Sequence, residues 1–482
     1  MDNKLNKKVV KATKWSALTE IAAKLVAPIS TMLLARLLTP DAFGVMVTAT
    51  MVISFAEIFT DAGFQKYLVQ HNFEDKNALY LSTNVAFISN LSISIIAWIV
   101  ICTFSSRIAS IVGSEGYGMV ISISSICIPL TAFSSIQMAI YKRHLDFKTL
   151  FIVRMVGVSI PIIITIPLAI IFRSYWALII GMIALNLSNA IILSIKSEWK
   201  PKLWYNWLLF KEMFSFSSWS MIEAIALWAT SYIDIFIIGR LLNDYYLGLY
   251  RTSMNTVGQF TSVITAAITP VLFSTISRLQ NNSSEFNITF LKFQKVISII
   301  IVPLGAILYI YRNLVTELLL GSKWQEAAYF IGLWALTTSV TVILANISGE
   351  VYRAKGKPMI SVIVQLSHIA FIVPIVLITI PYGFTVLCEW RAIVRLELII
   401  ANLIAIYYMI NISPYRQFKN VFPSVFASTV IILLSFIFPI SRNYLYASSQ
   451  LILSILIYLG IILSFQKEKS IIINFKNIIQ KK

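Results

Sequence analysis

The chain has 482 residues, 58% of them hydrophobic and only 12% charged, with a mean hydropathy of +0.80. This composition excludes an ordinary soluble domain, and the formal charge of +18 indicates a partner only once the place of each lysine and arginine is known. Three cysteines and three histidines, scattered along the chain, supply neither a disulfide framework nor a metal-ligand spacing.

Apolar runs of about 20 residues, enough at about 1.5 Å per residue to cross a hydrocarbon core roughly 30 Å thick, recur from end to end. Period-2 alternation is absent, so the spans are predicted as helices and not as strands of a barrel. They fall near residues 15–38, 43–64, 79–105, 117–141, 149–172, 174–195, 212–239, 246–275, 294–311, 327–352, 358–381, 384–411, 424–440 and 447–465. Lys4, Lys7, Lys8, Lys11 and Lys14 precede the first, which is too long for a signal-peptide core and has no small-residue cleavage site after it; it reads as an uncleaved helix. Cys102, Cys127 and Cys388 lie inside spans and read as packing residues, while His71, His144 and His368 offer no relay.

An even number of spans puts both termini on one side. With the termini in the cytoplasm, the outer loops hold only Arg36, Arg107, Arg173, Arg240, Arg312, Lys323 and Arg442, against 27 basic residues on the inner side. This is the bias expected of short cytoplasmic loops, so the basic excess reflects membrane-surface electrostatics and not a nucleic-acid partner.

Residues 15–44 align with 219–248 at a constant offset of 204, matching Trp15-Ser16 with Trp219-Ser220, Ile21-Ala22 with Ile225-Ala226, Ile29 with Ile233, Arg36-Leu37-Leu38 with Arg240-Leu241-Leu242, and Gly44 with Gly248. "GS" recurs at 113–114 and 321–322, and "ITIP" at 164–167 and 378–381. The expected fold is therefore all-α and polytopic: a six-helix lobe over 1–195, a cytoplasmic linker over 196–211, a second lobe over 212–411, and two further helices with a basic tail over 412–482. Six is even, so the repeats run parallel, an arrangement suited to carriers that expose a site to either side in turn. Arg36, Gly44, Arg240 and Gly248 fall at the outer turn after the first helix of each repeat and read as a structural corner, the arginines reaching headgroups and the glycines capping or tightening the turn.

The stretches "ARLLTPDAFG", "FTDAGFQKYLVQ" and "SYIDIFIIGRLLNDYYLGLY", taken with the repeat, resemble the Wzx-type polysaccharide flippases of the multidrug/oligosaccharidyl-lipid/polysaccharide exporter superfamily. The resemblance covers nearly the whole chain. It implies a MATE-like fold in a bacterial inner membrane and alternating-access transfer of a polyprenyl-diphosphate-linked oligosaccharide to the outer leaflet for O-antigen of lipopolysaccharide, capsule, exopolysaccharide or teichuronic-type polymers; the lobe geometry suggests a working monomer, and no cofactor is expected. Partners implied are the lipid-linked oligosaccharide, membrane lipids and other polysaccharide-assembly proteins, with coupling to H+, Na+ or neither. The alternatives within the superfamily are a cation-coupled drug antiporter and a peptidoglycan-precursor flippase. An enzyme is not expected, because the longest loops, near 196–211 and 276–293, hold no paired carboxylates and no nucleophile with its base.

A charge at the bilayer centre costs at least about 2.5–3.5 kcal/mol, so ionisable residues inside spans are candidates for function. Lys24, Arg154, Arg251 and Arg395 are the cations suited to a diphosphate. The other reading is that Glu20 neutralises Lys24, and that Glu397 does the same for Arg391 and Arg395, at neighbouring-turn spacing. Glu57 and Asp61, four apart on one face, together with Asp234, are candidate coupling carboxylates. Asp61 equally suits a local cap or pair near Lys66, and Asp234 a contact to a neighbouring helix. Pro28, Pro129, Pro161, Pro167, Pro270, Pro303 and Pro374 are expected bend points, and Trp219, Trp228 and Trp334 are available to stack on sugars.

Overall fold

Apolar periodicity is translated into helices throughout. A computed structural model describes residues 15, 19, 23, 24, 26–61, 63–441 and 443–465, except the side chains of 216–220 and 223. The N-terminal lysines, Glu20, Arg442, the lysines from Lys467 onward, and the side chains of Trp219 and Glu223 lie outside the described residues. Among the described residues thirteen helices are long and apolar enough to cross a membrane, and one shorter apolar helix precedes them, where the sequence predicts fourteen spans.

In chain order they are α1 (Val26–Leu37), α2 (Pro40–Asp61), α3 (Lys76–Thr103), α4 (Gly118–Arg143), α5 (Phe147–Phe172), α6 (Trp176–Lys196), α7 (Trp207–Leu241), α8 (Asp244–Arg278), α9 (Ser283–Ile310), α10 (Ala327–Ala354), α11 (Met359–Tyr382), α12 (Phe384–Ile410), α13 (Pro414–Ile437) and α14 (Tyr444–Ser464). Only Ala224–Leu241 of α7 forms its apolar span. No strand occurs among the described residues. The chain is a multi-pass membrane protein.

Helix starts follow local chemistry. Asp75 accepts a hydrogen bond from the Ala78 amide at 2.6 Å, and Asp146 accepts from both the Thr149 amide at 3.2 Å and its hydroxyl at 2.7 Å. Each supplies an acceptor to amides that no preceding turn can satisfy. Pro40 and Pro414 open α2 and α13, where a missing N–H is harmless. Pro161 begins a π-turn, Pro161–Thr165, in α5, while Pro270, Pro303 and Pro374 lie inside α8, α9 and α11. A second π-turn, Val342–Asn346 in α10, has no proline to announce it.

Two compact units divide the chain, Met1–Arg251 and Thr252–Lys482, with the boundary inside α8. In the first, Phe64, Tyr67 and Leu68 of a short helix, Phe64–Gln70, pack with Val85, Phe87, Ile136 and Trp199. In the second, Ile297 and Ile301 of α9 join Ile343, Ile347, Leu403 and Ile406. Burial of this apolar area stabilises each unit by about 25 cal/mol per Å2 only where the alternative is water; within lipid, close packing takes over. Large apolar side chains left exposed, Ile163, Ile171, Ile195 and Phe436 among them, suit a lipid-facing surface.

Candidate functional site

The corner motif closes a helix crossing inside the first unit. A Cβ at Gly44 would collide with the Asp244 carbonyl, and a Cβ at Gly248 would collide with the Pro40 carbonyl. Positions 40 and 44 correspond to 244 and 248 across the repeat, so the two copies of the motif meet reciprocally, each glycine admitting the other's backbone. This corrects the expectation that the glycines cap or tighten the turn: both lie inside helices, α2 and α8, and act on a neighbour. Arg36 and Arg240 are exposed at the ends of α1 and α7. The "GS" pair at 113–114 completes the corner. Gly113, at φ 83°, passes against the Gly239 carbonyl, and Ser114 donates to Asp244 Oδ1 at 2.7 Å while lying 3.1 Å from the Thr48 hydroxyl.

Beside this corner runs a ladder of rings. Phe55 packs on Phe59 at 5.2 Å and on Trp228 at 4.7 Å between centroids, and Trp228 stacks on Tyr232 at 5.4 Å. The Arg251 guanidinium lies 5.5 Å from the Tyr232 ring and ends the ladder. Trp228 Nε1 donates to Ser54 Oγ at 3.0 Å, so the indole is fixed at both its face and its edge. Phe55, Phe59 and Trp228 also wall an apolar groove of about 500 Å3 completed by Val100, Ile101 and Phe236.

The candidate carboxylates each have their own surroundings. Glu57 is within hydrogen-bonding reach of Thr131 on α4, whose hydroxyl donates to Asn186 Oδ1 on α6 at 3.3 Å. Asp61, one turn on, is bonded by Gln65 and lies near Lys66 and Lys142. Asp234 is buried, taking the Tyr250 hydroxyl at 2.6 Å and the Ile235 amide at 2.9 Å, a contact that ties α7 to α8. Of the candidate cations, Lys24 is half-buried just ahead of α1 and Arg154 is exposed on α5.

Arg395 belongs to a cluster in the second unit. Its guanidinium lies 4.0 Å from the Trp334 ring, and that of Arg391 lies 5.1 Å from the same ring. Arg395 Nη1 donates to Thr338 Oγ1 at 2.6 Å. Contrary to the expectation that it neutralises these arginines, Glu397 does not turn back along α12 to them. It reaches across to α11, where Ser367 Oγ donates to Oε1 at 3.1 Å and His368 Nδ1 lies 2.9 Å from Oε2. Glu397 lies two residues from Arg395 and six from Arg391, so ordinary helical spacing already turns it to another face than theirs. His368, read from the sequence as without a chemical role, is thus the acid's partner. Glu389 accepts the Tyr329 hydroxyl at 2.7 Å. The sequence offers no signal for a pairing between residues 29 apart on different helices.

Among the described residues no three His, Cys, Asp or Glu side chains gather as a metal site would require. The corner crossing, the aromatic ladder and the intramembrane arginines belong to a polytopic helical membrane protein. Residues 33–329 match the family described as polysaccharide biosynthesis protein, and the chain belongs to that family. It is similar to an uncharacterized membrane protein in the cps region of Klebsiella pneumoniae, 24% identical over 374 residues, 77% of this chain and 76% of that one. It is also similar to the succinoglycan biosynthesis transport protein ExoT of Rhizobium meliloti (strain 1021), 22% identical over 334 residues, 69% and 67% of the two chains. Among solved structures the lipid II flippase MurJ, in an inward closed conformation, shares the fold with a TM-score of 0.73 at 15% identity, over 95% of this chain and 99% of that one. The resemblance to Wzx-type transporters extends to the lipopolysaccharide biosynthesis protein WzxC of Escherichia coli (strain K12), 19% identical over 363 residues, 74% of this chain and 72% of that one.

Proposed function

We propose that the protein moves a polyprenyl-diphosphate-linked oligosaccharide from the cytoplasmic to the outer leaflet, for assembly of a cell-surface polysaccharide, with both termini in the cytoplasm. The observation that carries this reading is the ladder Phe59–Phe55–Trp228–Tyr232 ending in Arg251. Rings offer faces to sugar C–H groups, a guanidinium offers paired donors to phosphate, and the adjoining apolar groove accepts an isoprenoid chain. These are the three chemistries of one such cargo. Family membership and the transport relatives support the class of substrate. The two arginines on Trp334 place further positive charge among the spans, which favours an anionic cargo over a cationic drug.

Alternating exposure needs a contact that can open. The reciprocal glycine crossing of α2 and α8 is suited to this, since backbone meets backbone there without side chains between. Deletion in a bacterium of known surface polymer, with chemical analysis of lipid-linked intermediates, tests the proposal. The polymer is lost and its lipid-linked repeat unit accumulates on the cytoplasmic side. Continued polymer synthesis without that accumulation, in a strain with no second flippase, overturns it, and accumulation of a peptidoglycan precursor instead reassigns the cargo. Arg154→Gln lowers export at unchanged protein level; unchanged export removes Arg154 from the cargo path.

A further inference from the structure

We propose that the cavity between the ends of α3, α4, α5 and α6 binds the phosphate headgroup of an anionic phospholipid from the surrounding leaflet. The inference goes beyond the cargo reading and does not depend on it.

The cavity, of about 520 Å3, lies wholly within the first unit, and Lys76, Lys148 and Lys196 all line it. They come from the first residue of α3, the first turn of α5 and the last residue of α6. Because these positions end apolar spans, they set the cavity at headgroup depth. All three lysines are exposed, so a ligand reaches them from the membrane surface, and none makes a hydrogen bond or ion pair with a described residue.

Lys196 suits the C-terminus of its helix, but Lys76 and Lys148 stand at helix N-termini, where peptide dipoles favour acids. Neither therefore stabilises its own helix. Asp75 and Asp146 already cap the amides there, and both oxygens of Asp146 are taken by Thr149. Glu198 is the other acid on the cavity wall. Three ammonium groups against two carboxylates leave a positive excess, to which two helix N-termini add. A phosphate diester, with a charge spread over oxygens that several ammonium groups can share, matches that excess.

The rest of the wall is apolar. Trp15, Tyr80 and Phe147 contribute rings, and Leu79, Ile140 and Leu145 contribute aliphatic side chains. Trp15 packs on Phe151 of α5 at 5.0 Å between centroids. Such rings belong at the boundary between headgroup and acyl chain, which a free phosphate ion would not use. Leu145 adds a signature of its own. It holds φ 57°, a left-handed conformation strained for leucine, at the stop of α4, where the Asp146 amide donates to the Tyr141 carbonyl at 2.9 Å. Glycine would make that stop without strain. Leucine gives the cavity an apolar side that glycine lacks.

The test uses full-length protein, delipidated in dodecyl maltoside, with bound lipid counted by native mass spectrometry and stability followed by thermal unfolding. Phosphatidylglycerol, phosphatidylcholine and inorganic phosphate are the probes. Phosphatidylglycerol is expected to fill a single site per chain ahead of weaker additions and to raise the unfolding midpoint, whereas phosphatidylcholine and inorganic phosphate do neither. Lys76→Gln, Lys148→Gln and Lys196→Gln each weaken that first site about fivefold. Lys202→Gln, Lys211→Gln and Lys292→Gln, at exposed lysines outside the cavity, leave it level. Leu145→Gly keeps the lipid-free midpoint level or raises it, yet weakens the first site, which a purely structural leucine would not do. Equal binding of phosphatidylcholine, equal losses from both sets of lysines, or wild-type binding by Leu145→Gly overturns the proposal. A midpoint raised as much by inorganic phosphate as by the lipid also overturns it and assigns the cavity to a soluble phosphate compound.

Discussion

Gly44 on α2 faces the carbonyl of Asp244 on α8 so closely that a single methyl group would strike it, and Gly248 repeats the contact against Pro40. Overpacking of this kind costs about 1–3 kcal/mol because backbone, unlike a flexible side chain, cannot swing aside. Gly44→Ala and Gly248→Ala should each lower the thermal unfolding midpoint of the purified protein. Gly258→Ala and Gly460→Ala, where a Cβ meets nothing within 4 Å, should leave it level or raise it slightly through better helix propensity. Equal behaviour of the two pairs would show that the crossing is looser than described.

Asp234 and Tyr250 share a buried bond of 2.6 Å between neighbouring helices. Tyr250→Phe leaves the carboxylate short of one donor, a loss of about 1–3 kcal/mol. Asp234→Asn keeps an acceptor and should cost less. A double-mutant cycle on thermal stability checks this: the paired variant should lose less than the two single losses combined, whereas strict additivity would mean the bond contributes nothing of its own.

Trp334 carries two guanidiniums on one ring, at 4.0 and 5.1 Å. Each such contact is worth about 0.5–2 kcal/mol, more where water is excluded. Trp334→Leu preserves bulk but not the ring, so stability should fall by about 1–3 kcal/mol, and Trp334→Phe should restore part of it. Chemical or thermal denaturation in detergent would read the order Trp, Phe, Leu; any other order counts against the ring's electrostatic role.

Outside the spans, Tyr67 donates to Glu212 Oε1 at 2.9 Å. Burial and, next, the carboxylate beside it push the phenol well above its ordinary value of 10.0. A raised folded value means that the unfolded chain ionises first. The stabilisation is therefore complete below about pH 10 and declines as pH climbs from there toward the folded value. Tyr67→Phe should flatten the fall in stability measured between about pH 9 and pH 11; an unchanged slope would show that Tyr67 ionises no differently in the two states.

Several of these features were legible before any coordinates. Thirteen of the fourteen predicted spans follow from apolar run length, the first being met among the described residues only by the shorter helix Val26–Leu37, and the repeat marked Gly44 and Gly248 as equivalent. Asp234 stood out as a charge inside a span, and a further echo of the repeat raised the "GS" at 113–114, whose role at the corner emerges only with Ser114 against Asp244. The acids and arginines could be counted, and Trp228 could be nominated, but the ring ladder that joins it to Phe55 and Tyr232 could not.

What the sequence determines by itself is local and periodic: which stretches must be helices in lipid, where caps and prolines start them, and that one half restates the other. These follow from chain geometry, in which a residue's neighbours along a helix are fixed by 3.6 residues per turn. What only tertiary structure decided is pairing between helices. Glu397 has Arg395 nearby on its own helix yet takes His368 from α11, because residues two apart face different ways and the packing of α11 on α12 brings the histidine to the acid. Gly44 in the same way reads as a turn residue until α8 is laid across it, since close backbone approach is a property of two helices together and leaves no trace in the spacing of either one.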